Sequence, residues 1–207
     1  MPRYRSKSWR AYQSEAPRAL ANPAPSAQPV VLDTRARCRI LGIDPGSRRL
    51  GYGVIEVGAG ETRCIAQGRI EVDGLPIVDR LARIHRGVRE LIEHHAPGEV
   101  AVEKVFVNRN VDSALKLGQA RGAALAALEG LEIAEYAPRA IKLATVGYGG
   151  ADKLQVAHMV RAVLALTEKL TADAADALAV ALCHAQHRRL ASLVAASAPR
   201  GRVREAG

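Results

Sequence analysis

The sequence predicts an α/β protein built on a mixed five-stranded sheet with strand order 3-2-1-4-5, flanked by helices. Three observations lead there. Residues 38–72 hold three strand-like runs joined by short glycine-containing links, the mark of antiparallel hairpins. Residues 75–187 then alternate helical periodicity with short apolar strands. Two of the apolar runs finish on a bare carboxylate, Asp44 and Glu103, which puts a chemical edge on the sheet.

The strand candidates of the first group are Cys38–Asp44, Gly51–Val57 and Arg63–Val72. A helix is expected over Leu75–His95, because Ile77, Leu81, Ile84, Val88, Leu91 and Ile92 recur at helical spacing and Pro97-Gly98 follows as a stop. Arg80, Arg83, Arg86 and Arg89 form a basic stripe on the opposite side, read first as a solvated face. Val100-Ala101-Val102 gives a short strand ending on Glu103, and Ser113–Glu129 a helix. In that helix Gly118, Gly122 and Ala126 leave one face almost without bulk, which suits either a helix–helix contact across a dimer or tight packing on the sheet. Leu131–Tyr136 is the fifth strand. Helices are expected at Pro138–Val146, Asp152–Leu164 and Thr171–His187, the last with Thr171 as N-cap. His184 and His187 are read as dipole partners near its C-terminus. Right-handed crossovers place the fourth strand parallel to the first and the fifth beyond it, so Asp44 and Glu103 become neighbours at strand carboxyl ends.

Composition sets limits on this picture. With 48% hydrophobic but only 3% aromatic residues, the core is aliphatic. No apolar run approaches the ~20 residues of a membrane span, and no signal segment follows the basic N-terminus. Three scattered cysteines suit a reduced, cytoplasmic setting and suggest neither a disulfide framework nor structural zinc. The net charge of +9 divides unevenly: +5 falls in residues 1–37 and +4 in 188–207, which leaves 38–187 neutral. We therefore expect one domain over 38–187 between two disordered basic tails. Such tails can add salt-sensitive affinity for a polyanion, although solvated ends are the simpler reading.

The acids carry the chemistry. Asp173 and Asp176 lie three apart at the start of the last helix, on one face, with only alanine between and around them. Alone, acids at a helix N-terminus need no function. Together with Asp44 and Glu103 they make four carboxylates converging on one edge, mutually repulsive unless cations intervene. An all-oxygen set suits Mg²⁺, with Mn²⁺ as substitute. Two such ions can clamp the attacking and leaving oxygens of a phosphoryl displacement.

The segments Leu41-Gly42-Ile43-Asp44-Pro45-Gly46-Ser47, Val102-Glu103-Lys104-Val105-Phe106, Asp112–Gly122 and Ala172-Asp173-Ala174-Ala175-Asp176-Ala177-Leu178 closely resemble the RuvC family of bacterial crossover-junction endodeoxyribonucleases, the Holliday-junction resolvases. The resemblance runs unbroken over about residues 38–187. It implies an RNase H-like fold and a homodimer that nicks two strands of like polarity in four-way junction DNA, in homologous recombination and DNA repair. The products would be ligatable 5′-phosphate and 3′-hydroxyl ends, made with two Mg²⁺ ions per site. It implies catalytic and metal-binding roles for Asp44, Glu103, Asp173 and Asp176, DNA-binding lysines at Lys142 and Lys153, and a junction-stacking aromatic at Phe106. Arg109 joins these as a DNA-binding candidate. Functional coupling to the branch-migration proteins RuvA and RuvB follows from the resemblance alone. Phe106 is also the only Phe in the chain, three residues beyond Glu103, and Lys142 and Lys153 flank the loop Gly147-Tyr148-Gly149-Gly150.

Two other readings compete. Gly42–Ser47 also resembles the first phosphate loop of actin-like kinases and ATPases, but those need a second similar domain that this chain lacks room for. A non-catalytic junction binder would gain nothing from four carboxylates beside phosphates.

Overall fold

The computed structural model describes residues 37–58, 60–105 and 110–197. Strands β1 (Cys38–Asp44), β2 (Arg49–Gly58) and β3 (Glu61–Glu71) form the antiparallel run. Helix α1 (Ile77–His95) leads to β4 (Glu99–Glu103), and α2 (Val111–Ala127) to β5 (Ile133–Tyr136). Three helices follow: α3 (Pro138–Val146), α4 (Lys153–Val163) and α5 (Ala172–Ser197). The sheet order is β3-β2-β1-β4-β5 with β4 parallel to β1, as predicted, and β5 is parallel to β4.

Alternation along the strands divides the core into two layers, because successive side chains leave opposite faces of a sheet. Leu41, Ile43, Val54, Val100 and Val102 pack against Ile84 and Val88 of α1 and Ala120 and Ala124 of α2. Ile40, Ile55 and Ala101 face the other way, onto α5 and onto Ile141, Val156 and Val160 of α3 and α4. Helix α5 lies very close to the sheet. A Cβ at Gly42 would stand 2.2 Å from the Ala177 carbonyl oxygen, and one at Gly51 only 2.1 Å from that of Asp173. Bare glycines below and alanines above thus set the helix's height and rotation.

Helix starts follow the expected chemistry. Asp152 and Gln155 form a capping box on α4. The Thr171 hydroxyl accepts from the Ala174 N–H at 3.3 Å.

Two expectations need correction. Helix α5 does not stop near His187 but continues to Ser197, so the segment expected to be a disordered tail from residue 188 begins as helix. Arg188, just beyond the expected end, is buried and donates from Nε to Glu99 Oε1 at 2.7 Å. His184 is therefore in mid-helix and no dipole partner. It bridges the Tyr136 hydroxyl (2.8 Å to Nδ1) and the Glu99 carboxylate (2.9 Å to Nε2). Of the two readings left open for the small-residue face of α2, packing on the sheet is excluded: a Cβ at Gly118 or Gly122 would meet nothing within 4 Å. The face of α2 that packs inward carries Ala120, Ala124 and Ala127 instead.

Candidate active site

The site is assembled by strand register. Asp44 of β1 pairs with Gly51 of β2, and Gly51 pairs with Arg69 of β3. The parallel ladder between β1 and β4 pairs Ile43 with Val102, so one step further brings Asp44 beside Glu103, which itself pairs with Tyr136 of β5. A row of residues thus crosses all five strands at one edge, on the face that α5 covers.

Asp44, Glu103 and Asp176 open onto one cavity of about 400 Å³, with Lys104, Lys142 and Lys153 also in its wall. Burial, and then the nearby Asp176 charge, lifts the Asp44 carboxyl to about 6. Burial, the Asp44 charge and a hydrogen bond shared with Asp44 lift Glu103 to about 8. The pair therefore keeps a proton between them well toward neutrality, because two adjacent half-buried carboxylates cannot both ionise without a cation. Lys153 donates to Asp176 Oδ2 at 2.7 Å, and that hydrogen bond holds its amine above the ordinary lysine range. Asp173 lies outside the cavity wall, where its Oδ2 is 3.8 Å from Arg69 Nη1.

The donor set fits Mg²⁺ or Mn²⁺ in kind: every ligand is a carboxylate oxygen, and Asp44 and Glu103 stand in the state of mutual repulsion that a divalent ion relieves. Among the described residues, however, no three His, Cys, Asp or Glu side chains are drawn together as a ready ligand group. Asp176 is engaged at Oδ2 by Lys153 and Asp173 at Oδ2 by Arg69, which leaves the second oxygen of each carboxylate without either of these basic partners.

Of the other sequence candidates, Lys142 is half-buried in the cavity wall, and Phe106 and Arg109 lie outside the described residues. Two residues escaped the sequence reading. Lys104 lines the cavity while its backbone N–H donates to the Tyr136 carbonyl at 2.8 Å; its place directly after Glu103 was the available signal. Arg69 belongs to no motif and is reached only through the β2–β3 register. The arginine stripe of α1 is in part structural: Arg80 donates to the Leu75 carbonyl and Arg89 pairs with Glu93. Arg69, Arg83 and Arg86 border an open groove of about 1050 Å³ beside β3, where Glu71, Glu90 and Glu93 balance the charge. Among the described residues no helix is long and apolar enough to cross a membrane.

Comparison with known proteins adds independent findings. The family model for "Crossover junction endodeoxyribonuclease RuvC" matches residues 40–184. The RuvC of Hahella chejuensis is 49% identical over 170 residues, covering 80% of this chain and 99% of that protein. The RuvC of Halorhodospira halophila is 56% identical over 153 residues, covering 72% and 91%. Among solved structures, T. thermophilus RuvC in complex with a Holliday junction substrate superposes with a TM-score of 0.70 at 39% identity, covering 75% of this chain and 97% of that one. The yeast mitochondrial Holliday junction resolvase reaches 0.55 at 12% identity, over 76% of this chain and 84% of its own, a likeness of fold alone. The sheet order and these neighbours make the fold RNase H-like.

Proposed function

The chain belongs to the RuvC family of crossover junction endodeoxyribonucleases, and from that premise we propose that it resolves Holliday junctions by nicking two strands of like polarity in a metal-dependent reaction. The observation that carries this reading is the convergence of Asp44, Glu103 and Asp176 on one cavity together with Lys104, Lys142 and Lys153. Carboxylates to hold cations and lysines to receive a phosphate meet at the carboxyl edge of the sheet, where α/β folds build their sites.

Asp44, Glu103, Asp173 and Asp176 would hold two Mg²⁺ ions, with Mn²⁺ able to substitute. When bound, such ions supply Lewis-acid polarisation of the phosphate and a water nucleophile at neutral pH. The reaction adds a water oxygen to phosphorus and breaks the bond to the 3′ oxygen, which takes up a proton, leaving a 5′-phosphate and a 3′-hydroxyl. Lys104 and Lys142 offset the negative charge that builds on the phosphate oxygens. Lys153 adds a third cation once Asp176 turns from it. Phe106 and Arg109 are proposed to contact junction DNA, Phe106 by stacking on an exposed base.

Symmetric nicking needs two sites, and we assign the dimer contact to the exposed face of α2. There Val111 and Leu115 stand 79% and 60% exposed in line with Gly118, Gly122 and Ala126, an apolar stripe that a second copy would cover. Coupling to RuvA and RuvB is proposed from family membership.

The test is a synthetic four-way junction incubated with Mg²⁺ and either wild type or Asp44→Asn. Paired symmetric nicks by wild type only, with binding kept by the variant, are expected. ATP hydrolysis without DNA cleavage would sink the nuclease reading, and binding without cleavage in either Mg²⁺ or Mn²⁺ would reduce the protein to a junction-binding module.

A further inference from the structure

Arg69 is placed at the site by two independent features. Its register partner on β2 is Gly51, and Gly51 lies directly beneath the first turn of α5, where a Cβ would come within 2.1 Å of the Asp173 carbonyl oxygen. The missing side chain at Gly51 leaves the neighbouring guanidinium a clear path to Asp173. Arg69 takes it: Nη1 stands 3.8 Å from Asp173 Oδ2, while Nη2 is held by Glu71 Oε1 on its own strand. The arrangement mirrors the other acid of the helix, Asp176, which is engaged by Lys153.

We propose that Arg69 competes with a divalent cation for Asp173, so that the site exchanges a guanidinium for a metal ion as it loads. This rests on the reading of Asp173 as a metal ligand. The contact is long and partly exposed, with 36% and 29% of the two side chains accessible, so it is weak enough to be displaced. A divalent ion brings twice the charge to the same oxygens. Glu71 Oε1, which also stands 3.8 Å from Arg49 Nε, gives the displaced guanidinium a partner to remain on. Arg69 is thus a positioning residue that stands beside Asp173 before loading and gives way to the ion.

The test is calorimetric titration of Mn²⁺ into the full DNA-free chain, for wild type, Arg69→Gln and Arg69→Lys, with circular dichroism to establish that each is folded. Removing a competitor of this strength should tighten Mn²⁺ binding about two- to fivefold in Arg69→Gln. Arg69→Lys, which restores the cation, should return the affinity to near the wild-type value. Unchanged or weaker binding by folded Arg69→Gln overturns the inference, as does a wild type that binds no Mn²⁺ at millimolar concentration. A wild type that binds Mn²⁺ but cleaves no junction would defeat the nuclease reading and still leave the affinities to decide Arg69.

Discussion

Strand β4 carries a glutamate at each end, and the two live in opposite electrostatic worlds. At Glu99 burial raises the carboxyl, but the hydrogen bond from His184 and the charge and hydrogen bond of Arg188 outweigh it and hold the group below its ordinary range. At Glu103 burial and Asp44 push the carboxyl up to about 8. Both face α5, four residues apart on one strand. The first acid has direct basic partners, whereas the second meets only the more distant charge of Lys153, whose hydrogen bond goes to Asp176. Glu56 repeats the first pattern, with Arg63, Arg37 and Arg39 gathered on one carboxylate. An acid already satisfied by the fold is there for the fold, whereas acids crowded together with their carboxyls pushed up mark a candidate functional site.

That contrast can be broken most sharply at its functional end. Asp176→Asn should lower junction cleavage about a thousandfold, the ~4 kcal/mol expected from losing a metal-holding carboxylate, with little change in melting temperature. Single-turnover cleavage with a thermal melt reads both. A loss below tenfold would show Asp176 to be dispensable.

Gly51→Ala tests the support beneath the acids. A methyl group there must displace the first turn of α5, and overpacking of this kind costs about 1–3 kcal/mol. Cleavage should fall at least tenfold as Asp173 and Asp176 shift. Gly122→Ala is the counterpart on an open surface, where no clash occurs and helix propensity improves by about 1 kcal/mol. There the folded monomer should gain stability while sedimentation reports a weaker dimer.

At the structural end, Glu99→Gln should cost about 2 kcal/mol near neutral pH, or about 4–8 °C in melting temperature, by removing the charged carboxylate that His184 and Arg188 share. The pH dependence has a definite sign. A carboxyl held below its ordinary 4.5 contributes its stability above that value and loses it as pH falls through the folded value. The stability difference between wild type and Glu99→Gln should therefore shrink in acid. A difference that grows below pH 4.5 would contradict the assignment.

Much of this was readable from residues alone, and the exceptions share a cause. The bounds of β1 and α3 coincide with the sequence expectation because both are punctuated locally, by Asp44-Pro45-Gly46 and by Pro138 and Gly147. The adjacency of Asp44 and Glu103 followed from the handedness of the crossover, a rule that needs no side-chain detail. The burial of Arg188 in α5 was not readable, because its partner Glu99 lies 89 residues away in the chain. Nor was Arg69, since the β2–β3 register contains a shift between Val54 and Ile55 that link length does not reveal. The same holds for the division between Asp173 and Asp176. Both share a helix face, and only the seating of α5 on Gly42 and Gly51 turns one to the cavity and the other to Arg69.

The most direct test sets the two glutamates of β4 side by side. Glu103→Gln and Glu99→Gln would each be measured for thermal stability and for nicking of a four-way junction in Mg²⁺, at a temperature where both are folded. Glu103→Gln should lose cleavage while melting at or above the wild-type temperature. Glu99→Gln should melt lower and still cleave. Equal loss of cleavage in both, or a destabilised Glu103→Gln that retains activity, would contradict the division of labour between the two edges.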